Sequence, residues 1–479
     1  MRWRWWGWFG AALVGWLAAA CGCGTEKDDP QASGGSAGTD ASAGGTGGHW
    51  PLPDSAGVGG SPTDGAIPCP EGPELPPDVP DGWVRFPVFG CKYKVYVPPE
   101  PSLLPPPLQW EECTDLGPDP YTCTQLVTPW PHNGQPVGGQ PRAWKDENGK
   151  VILQFRQMSG TTVTHAYTAV AAYADGPMLQ AIRVSEQTNQ GPVLAVLPNG
   201  GAAAPMRALW RFSDYEGSST ANVTEIRGGP VTNPMADLIV RYEKGDVLSA
   251  GGYGGPKYVA LVGARLHIRE WDGTDLGQQY VGLDIANTTW ANAETLIWNA
   301  QSAVKSHLYR WTPSGGAEVI HSYGDDFSKG AASPATDGTD LVWLEGEGRD
   351  VGGSSSFFPT MHVVTSKLPA SSAPLEPKRL RSWKGEAIWN AAGAVGCGYA
   401  AYSMPLTPVN APLDQRLLIV RLSDGVSWEL KSPADNHWNW GQPLTIDCDE
   451  LITTWGVGFG NFHIRRIRLD SLGPGTPPD

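Results

Sequence analysis

The feature that most constrains this chain is a repeat of short apolar strands, most of which end in an aromatic residue, between about residues 140 and 472. The clearest copies are ETLIW at 294–298, DLVW at 340–343, YAAY at 399–402 and LITTW at 451–455, with fainter ones at 151–155, 193–197 and 238–242. The anchor residues are Leu153, Val196, Val240, Trp298, Trp343, Tyr402 and Trp455, separated by 43, 44, 58, 45, 59 and 53 residues. Such a period predicts units that must stack on one another to bury their apolar faces.

A second element follows these anchors: an apolar strand, often containing an arginine, then a turn and another strand. Examples are LWRF at 209–212, LHIREW at 266–271, LYRW at 308–311 and LLIVRL at 417–422. The segments 307–323 and 416–432 each read as two alternating strands around a glycine-containing turn, which predicts antiparallel hairpins. Alternation places one face against the neighbouring unit, so we expect the arginines to lie near solvent.

The repeat resembles β-propellers of bacterial envelope proteins, in the broad TolB and WD40 manner, and the stretch DGTDLVW at 337–343 is the most family-like. The resemblance covers about 330 residues. It implies an all-β fold, a β-propeller of seven four-stranded blades, with six or eight as alternatives. The last repeat ends one strand short at FHIRRIRL, 462–469. Because a propeller must close its ring, we expect an N-terminal strand to complete it, with KYKVYV at 92–97 as the candidate.

The amino terminus has the layout of a secretory signal peptide, with Arg2 and Arg4 before an apolar run at 5–17. The run ends in LAAAC at 17–21 and here resembles bacterial lipoproteins, although Ala18 stands where leucine is usual. The resemblance implies acylation of Cys21 and export to a lipid-anchored place in the cell envelope, with the bilayer as partner. Gly22 in place of aspartate favours the outer membrane. Two alternatives stay open: acylation at Cys23, and ordinary cleavage of a signal peptide without acylation.

Composition divides the rest of the chain. We expect residues 1–20 to be the signal peptide, and 21–68, which contain almost no large apolar residues, to be the lipidated cysteine and a flexible Gly/Ser/Ala-rich tether. Residues 69–139 form a proline-rich collar pinned by disulfides and containing the closing strand. The propeller takes residues 140–472 and a C-terminal tail takes 473–479.

Six cysteines remain beyond the tether, and an even number in an exported chain predicts disulfides. Cys113 and Cys123 close a short loop and are expected to pair. Cys69 with Cys91, and Cys397 with Cys448, would complete the set, although six cysteines allow about 15 pairings. The cysteine and histidine spacings favour no zinc site.

Charge and composition exclude several classes of protein. The formal charge of −15 argues against a nucleic-acid partner, which would need a basic face. Twenty-two tryptophans exclude a wholly disordered chain. The 61 glycines and 44 prolines argue against a helix bundle, because both residues break helix interiors.

Candidate ligand-binding residues recur at the start of the later repeats, where an aromatic residue is expected to begin the innermost strand. These aromatics are Trp290, Phe327, Trp389 and Trp440, and the same loops contain Asp325, Asp326, His437 and Trp438. Flat rings beside carboxylates and amides suit a carbohydrate or a peptide. The alternative is that the rings pack between blades.

No catalytic residues are assigned. Asp325 and Glu345 could form an acid–base pair, but their spacing does not select them. The histidines His267, His307, His362 and His463 lie in or beside the arginine-containing strands and are interpreted as structural. The Asp-Gly-Thr-Asp segments at 272–275 and 337–340 are interpreted as turns rather than calcium loops. We therefore expect neither a metal nor a cofactor.

Together these features predict a membrane-anchored envelope propeller that acts as a non-catalytic binding module for a carbohydrate, a peptide or a protein. Two alternatives stay open: an enzyme that cleaves a polysaccharide or a peptide at the same mouth, and a structural envelope scaffold. Turns and strands specify the fold and do not choose among these functions.

Overall fold

The structure is a computed structural model. It describes residues 84–88, 92–97, 108–114, 121–127, 137–145, 149–159, 166–176, 178–185, 190–197, 207–214, 223–230, 237–243, 257–262, 265–270, 274–280, 284–292, 294–301, 306–324, 328–348, 359–369, 373–384, 393–405, 415–431, 443–458 and 461–478. In these ranges the secondary structure consists of β-strands and a 3-10 turn, Leu469–Ser471. None of the helices in the described residues is long and apolar enough to cross a membrane.

Four strands lie in the predicted collar. They are β1 (Val84–Val88), β2 (Lys92–Val97), β3 (Gln109–Glu112) and β4 (Cys123–Val127). β1 pairs with β2, and β3 pairs with β4, both antiparallel.

The repeat region forms antiparallel sheets whose strands follow chain order. The first contains β5 (Val137–Lys145), β6 (Val151–Ser159), β7 (Ala166–Tyr173) and β8 (Met178–Ser185), and β5 begins three residues before the predicted boundary at 140. The second contains β9 (Gln190–Leu197), β10 (Arg207–Asp214), β11 (Val223–Pro230) and β12 (Asp237–Glu243). The third contains β13 (Lys257–Val262), β14 (Arg265–Glu270) and β15 (Asp275–Tyr280).

Three further sheets have four strands each. The fourth contains β16 (Asp284–Asn292), β17 (Thr295–Gln301), β18 (Ser306–Thr312) and β19 (Gly316–Ser322). The fifth contains β20 (Lys329–Thr336), β21 (Asp340–Glu347), β22 (Thr360–Lys367) and β23 (Lys378–Lys384). The sixth contains β24 (Gly393–Gly396), β25 (Tyr399–Pro405), β26 (Gln415–Arg421) and β27 (Ser427–Lys431).

The last three strands receive their fourth strand from the N-terminal region, but it is not the expected one. They are β28 (Pro443–Asp447), β29 (Glu450–Gly458) and β30 (Asn461–Arg468), and β4 pairs with β30 through Gln125 opposite Arg465 and Cys123 opposite Ile467. The prediction that Lys92–Val97 fills this place is wrong, because β2 pairs with β8 instead. Only nine residues separate β4 from β5, whose start also pairs with β30, so the chain brings β4 to this edge.

From the third sheet to the last, successive sheets pack face to face, and the last sheet packs against the first. The first strands lie side by side, β16 against β20, β20 against β24, β24 against β28, and β28 against β5. Each apolar cluster draws its side chains from two sheets that follow one another, as where Trp343 of β21 packs with Ile297 and Leu308 of the fourth sheet. The protein is therefore all-β, built of mostly four-stranded antiparallel sheets in the packing typical of β-propellers.

Most of the sequence anchors occupy equivalent places. Leu153, Trp298, Trp343, Tyr402 and Trp455 all lie on the second strands of their sheets. Val196 and Val240 do not, because they lie on the first and fourth strands of one sheet, β9–β12. The two fainter copies were therefore misplaced, since an apolar strand pattern marks burial and not the position of a strand in its sheet.

The expectation that the repeated arginines lie near solvent is confirmed for Arg421, whose side chain is 38% exposed, and wrong for others. Arg310 is 4% exposed and Arg465 is fully buried. Two of these arginines contact the carboxylate directly opposite on the fourth strand, Arg269 with Asp275 at 3.2 Å and Arg310 with Glu318. This counter-charge is what allows an arginine to leave water.

Two of the predicted disulfides are present. Cys113–Cys123 joins the two sides of the β3–β4 hairpin, with Cα atoms 5.4 Å apart. Cys397–Cys448 joins the β24–β25 turn to the β28–β29 turn, with Cα atoms 4.9 Å apart, and so links neighbouring sheets. The predicted Cys69–Cys91 pair lies outside the described residues and stays a prediction.

The C-terminal tail lies against the sixth sheet. Thr476 exchanges two backbone hydrogen bonds with Ser427 at the edge of β27, with N–O distances of 2.8 and 2.9 Å. The indole nitrogen of Trp428 donates to the carbonyl oxygen of Gly473 at 2.7 Å. The tail therefore covers the outer edge of β27.

Candidate functional site

Each complete sheet has two different ends. At what we call the connection end, the chain enters the first strand and leaves the fourth; in the fifth sheet this end is marked by Lys329, Glu347, Thr360 and Lys384, which lie opposite one another. At the hairpin end, the first strand turns directly into the second. Binding residues are most often on loops that a rigid scaffold holds in place, so the loops at these ends are where a site is to be sought.

Trp290 does not begin the innermost strand, so that prediction is wrong. It is the seventh of nine residues of β16 and lies near the hairpin end, opposite Leu296. Its side chain is 8% exposed and packs with Leu266, Ile268 and Trp298, and its ring meets Trp311 edge-on at 6.4 Å. This is the packing alternative that the sequence left open.

The other sequence candidates lie outside the described residues. Asp325, Asp326 and Phe327 fall between β19 and β20, Trp389 between β23 and β24, and His437, Trp438 and Trp440 between β27 and β28. The described residues that flank these three segments lie at connection ends. Cys21 is also outside the described part of the chain. The roles of all these residues stay predictions.

A cluster of polar side chains occupies the connection end of the fifth sheet, and Glu345 is at its centre. Glu345 is 6% exposed. One carboxylate oxygen accepts a hydrogen bond from the hydroxyl of Tyr323 at 2.8 Å, and the other accepts two from the guanidinium of Arg379. The indole nitrogen of Trp343 donates to the Tyr323 oxygen at 3.0 Å. Because Tyr323 follows β19, these contacts join the fourth sheet to the fifth.

Glu347 lies two residues further along β21, on the same face as Glu345. Its carboxylate is 3.0 Å from Nε2 of His362, 3.3 Å from Arg379 and 3.4 Å from Lys329. Burial acts to raise the pKa of Glu347, but the His362 hydrogen bond and the charges of Arg379 and Lys329 outweigh it and hold the pKa below its usual value. Glu347 is therefore ionised at neutral pH.

The hydrogen-bonded chain continues to the outermost strand. Nδ1 of His362 is 2.7 Å from Oγ of Ser382, which lies directly opposite His362 in the β22–β23 ladder. His362 is 5% exposed, whereas Ser382 is partly exposed. We call these seven residues the connection-end cluster: Tyr323, Lys329, Glu345, Glu347, His362, Arg379 and Ser382.

The titration behaviour of the cluster follows from its burial and its charges. Burial, and then the charge of Glu345, raise the pKa of Tyr323, so its hydroxyl stays protonated and donates. Burial acts to lower the pKa of Arg379, but hydrogen bonds and charges from Glu345 and Glu347 outweigh it and raise the pKa. Two carboxylates thus face two cations, which leaves the cluster close to neutral.

A cleft of about 590 Å³ lies at the opposite, hairpin end, between the fifth and sixth sheets. Its lining includes Asp340, Ser366, Lys367, Lys378 and Ser423. Lys367 pairs with Asp340 at 2.7 Å, but its side chain is 74% exposed. Ser366 is buried, and its hydroxyl already accepts a hydrogen bond from the backbone N–H of Glu376 at 3.0 Å, although the size of the cleft would suit a small ligand.

Sequence reasoning missed most of this cluster. His362 was interpreted as structural, Glu345 was weighed only with Asp325, and Ser382, Arg379 and Glu347 carried no motif. The one available signal was Glu345-Gly346-Glu347, two carboxylates on one face of a strand. Only the strand register brings them to His362 and Ser382. In the described ranges, no group of three or more His, Cys, Asp or Glu side chains could hold a metal ion.

The sequence matches no known protein family and no characterised relative. Among solved structures, the chain is similar to the WD40 domain of Pan2 from Neurospora crassa, with 10% identity over 78% of this chain and 100% of that chain and a TM-score of 0.41. It is also similar to TolB from Acinetobacter baumannii, with 12% identity over 66% and 79% of the two chains and a TM-score of 0.32.

A third similar structure is an α-L-arabinanase from Penicillium chrysogenum in complex with arabinobiose. The identity is 14%, over 77% of this chain and 99% of that chain, with a TM-score of 0.36. These are similarities of fold alone.

Proposed function

We propose that this protein is a lipid-anchored β-propeller of the bacterial cell envelope that binds a carbohydrate, a peptide or a protein through the connection ends of its sheets. The observation that carries the proposal is the connection-end cluster. It combines hydrogen-bond donors and acceptors, held in place by mutual contacts, at the end where the predicted aromatic loops begin and finish.

Binding suits the electrostatics of this end. Because Glu345 and Glu347 are balanced by Arg379 and Lys329, the cluster presents fixed dipoles rather than a strong net charge. Fixed polar groups beside aromatic rings favour a neutral, hydroxyl-rich or amide-rich ligand. Carbohydrates and peptides both meet this description.

The proposed architecture is a closed ring of seven blades. The groups β5–β8, β9–β12, β13–β15, β16–β19, β20–β23 and β24–β27 would be six of them, and β28–β30 with β4 the seventh. The contact of β28 with β5 supports closure between the last and the first blade. An electron-density map showing six or eight blades around the axis would contradict this count.

The proposed anchor is Cys21, acylated after removal of residues 1–20, with residues 21–68 as the tether. The disulfides Cys113–Cys123 and Cys397–Cys448 support an oxidising compartment, since such bonds persist outside the cytosol. Metabolic labelling with a fatty acid should mark the wild-type chain, and Cys21→Ser should abolish the label. If that variant is still labelled, Cys21 is not the acylated residue, and Cys23 becomes the candidate.

Two lysines on β23 provide a matched test of the binding end. Lys384 is exposed at the connection end and Lys378 is exposed at the hairpin end of the same strand. On glycan and peptide arrays, we expect Lys384→Ala, Trp389→Ala and Trp440→Ala to weaken binding, while Lys378→Ala does not. The unfolding temperature of each variant controls for loss of fold.

The array also separates the remaining alternatives. Equal loss of binding in Lys378→Ala and Lys384→Ala would contradict the choice of end. Absence of any ligand, for a chain that is folded by circular dichroism, would overturn the binding proposal and favour a structural scaffold.

A further inference from the structure

Three side chains of the connection-end cluster form a hydroxyl–imidazole–carboxylate chain across three neighbouring strands. Ser382 is on β23, His362 on β22 and Glu347 on β21. The Ser382 Oγ to His362 Nδ1 distance is 2.7 Å and the His362 Nε2 to Glu347 Oε2 distance is 3.0 Å. A nucleophile within reach of a base that is oriented by a third group is the general arrangement of nucleophilic catalysis.

The directions of the protons follow from the partners. Glu347 is ionised and can only accept, so Nε2 of His362 carries the proton that it receives. In the neutral ring Nδ1 is then unprotonated and accepts the hydroxyl proton of Ser382. The ring nitrogens have exchanged roles relative to the usual Ser–His–Asp arrangement, but an imidazole that gains a proton at either nitrogen can pass it on.

The exposure of Ser382 favours a role as a nucleophile over a purely structural role. His362 is buried, whereas Ser382 is partly exposed on β23, and no other described strand pairs with the outer edge of β23. In an antiparallel edge strand, alternate backbone N–H groups point away from the partner strand. An ester carbonyl bound at Ser382 would therefore lie beside the edge of a strand, where outward-pointing backbone N–H groups are the kind of donor that stabilises a developing oxyanion.

The near-neutral charge of the cluster favours an uncharged substrate. Glu345 and Glu347 are offset by Arg379 and Lys329, so a strongly charged substrate gains little. Esters need less help than amides, because an alkoxide leaves more readily than an amide anion. An O-acyl group on a carbohydrate hydroxyl fits both conditions, and this choice rests on the carbohydrate option of the proposed function.

We propose that Ser382 is the nucleophile, His362 the general base and Glu347 the positioning residue of a site that hydrolyses neutral carboxylic esters. The Ser382 Oγ–carbon bond forms as the hydroxyl proton moves to Nδ1 of His362. The ester carbon–oxygen bond then breaks, and the alcohol leaves with that proton. Water attacks the acyl-serine and gives a proton to Nδ1, which returns it to Ser382 as the acyl–oxygen bond breaks. The products are one carboxylic acid and one alcohol.

The test uses the full chain in detergent, a fluorophosphonate probe and p-nitrophenyl acetate. We expect the probe to mark Ser382, identified by peptide mass spectrometry. Ser382→Ala and His362→Gln should each lower the hydrolysis rate by at least about 100-fold. Ser423→Ala, at an exposed serine of the β26–β27 turn, should keep both the label and the rate.

The role of Glu347 has its own readout. Glu347→Gln removes the negative charge beside His362, so the pH at which the rate reaches half its plateau should fall, which the loss of a purely structural contact would not cause. A folded wild-type chain that takes up no probe, or labelling that survives Ser382→Ala, would overturn the proposal.

The experiments distinguish a failure of the esterase proposal from a failure of the binding proposal. Ser382→Ala should lose probe uptake and turnover, whereas Lys384→Ala should weaken binding on the array. Binding without probe uptake would refute the esterase activity alone.

Discussion

The ring of His321 is held among aromatic groups at the junction of the fourth and fifth sheets. It meets Tyr323 edge-on at 4.7 Å and Trp343 at 5.5 Å, and its Nε2 is buried with no hydrogen-bond partner among the described residues. Burial lowers the pKa of His321, and the nearby Glu345 offsets only part of that effect. The folded state therefore favours the neutral ring.

This environment predicts a pH-dependent stability. Between the lowered pKa of folded His321 and its ordinary value of about 6.5, the unfolded chain binds more protons than the folded chain. The free energy of unfolding should therefore fall as the pH drops below about 6.5. Denaturant titrations between neutral and mildly acidic pH, on wild type and His321→Phe, measure it, and the variant should lose part of the slope.

A matched control for this prediction is His49→Phe, in the segment expected to be the tether. That change should leave the slope unaltered. Identical slopes for wild type and His321→Phe would contradict the assignment.

At the scale of elements, the recurring contact is the ion pair between a third and a fourth strand. Arg310 of β18 contacts Glu318 of β19 and also donates to the carbonyl oxygen of Pro369, in the next sheet, at 2.7 Å. Arg465 of β30 lies opposite Gln125 of β4, 3.5 Å away, so here a neutral amide stands where Glu318 stands in the fourth sheet. The fourth strand is thus held to the third by side-chain contacts as well as by backbone hydrogen bonds.

The two partners of such a pair should not contribute equally. The side chain of Arg310 is 5% exposed and that of Glu318 is 38% exposed. Glu318→Leu leaves a buried cation without its counter-charge and should lower the free energy of unfolding by about 2–4 kcal/mol. Arg310→Met leaves a carboxylate that water can reach, so its effect should be smaller. Denaturant midpoints of both variants measure the difference.

The double variant completes this cycle. Combined with Arg310→Met, Glu318→Leu no longer strands a charge, so the double variant should be more stable than Glu318→Leu alone. An equal or greater loss in the double variant would show that the pair does not account for the burial of Arg310.

On the scale of the whole molecule, the N-terminal hairpin β3–β4 joins the two ends of the repeat region. Tyr121 and Cys123 are buried in a cluster with Ile467, and Leu126 is buried in another with Ile464. The Cys113–Cys123 disulfide holds the hairpin together. The last sheet therefore depends on residues some 340 positions earlier in the chain.

Two truncations distinguish β4 from the strand that the sequence favoured. Removing residues 1–107 deletes β1 and β2 but keeps β3 and β4, whereas removing 1–136 deletes all four. The longer deletion should cost roughly 3–6 kcal/mol more, because Ile464 and Ile467 lose their cover. Thermal unfolding of the two products compares them. Equal unfolding temperatures would contradict the role of β4 in completing the last sheet.

Much of the fold could be predicted because it follows local periodicity. Short apolar runs ending in an aromatic residue predicted β17, β21, β25 and β29, and those aromatic residues lie in the core. The same reasoning predicts KYKVYV at 92–97 as the closing strand, because its alternation makes it the one convincing strand of the collar. Which strand reaches an edge depends on the length of the connecting chain, and periodicity carries no such information. The burial of Arg310 escaped prediction for a related reason, because its counter-charge lies across a hairpin.

By itself, the sequence determined the all-β character, the stacking of repeated units and the Cys113–Cys123 pair. These follow from the spacing of apolar residues, turn residues and cysteines along one stretch of chain. Only the tertiary structure decided which strand completes the last sheet, that Trp290 is a core residue, and that Ser382, His362 and Glu347 meet. The physical reason is that the register between strands brings together side chains from separate segments of the chain. The energy of such cross-strand contacts depends on residues that are distant in sequence, so a local pattern does not reveal it.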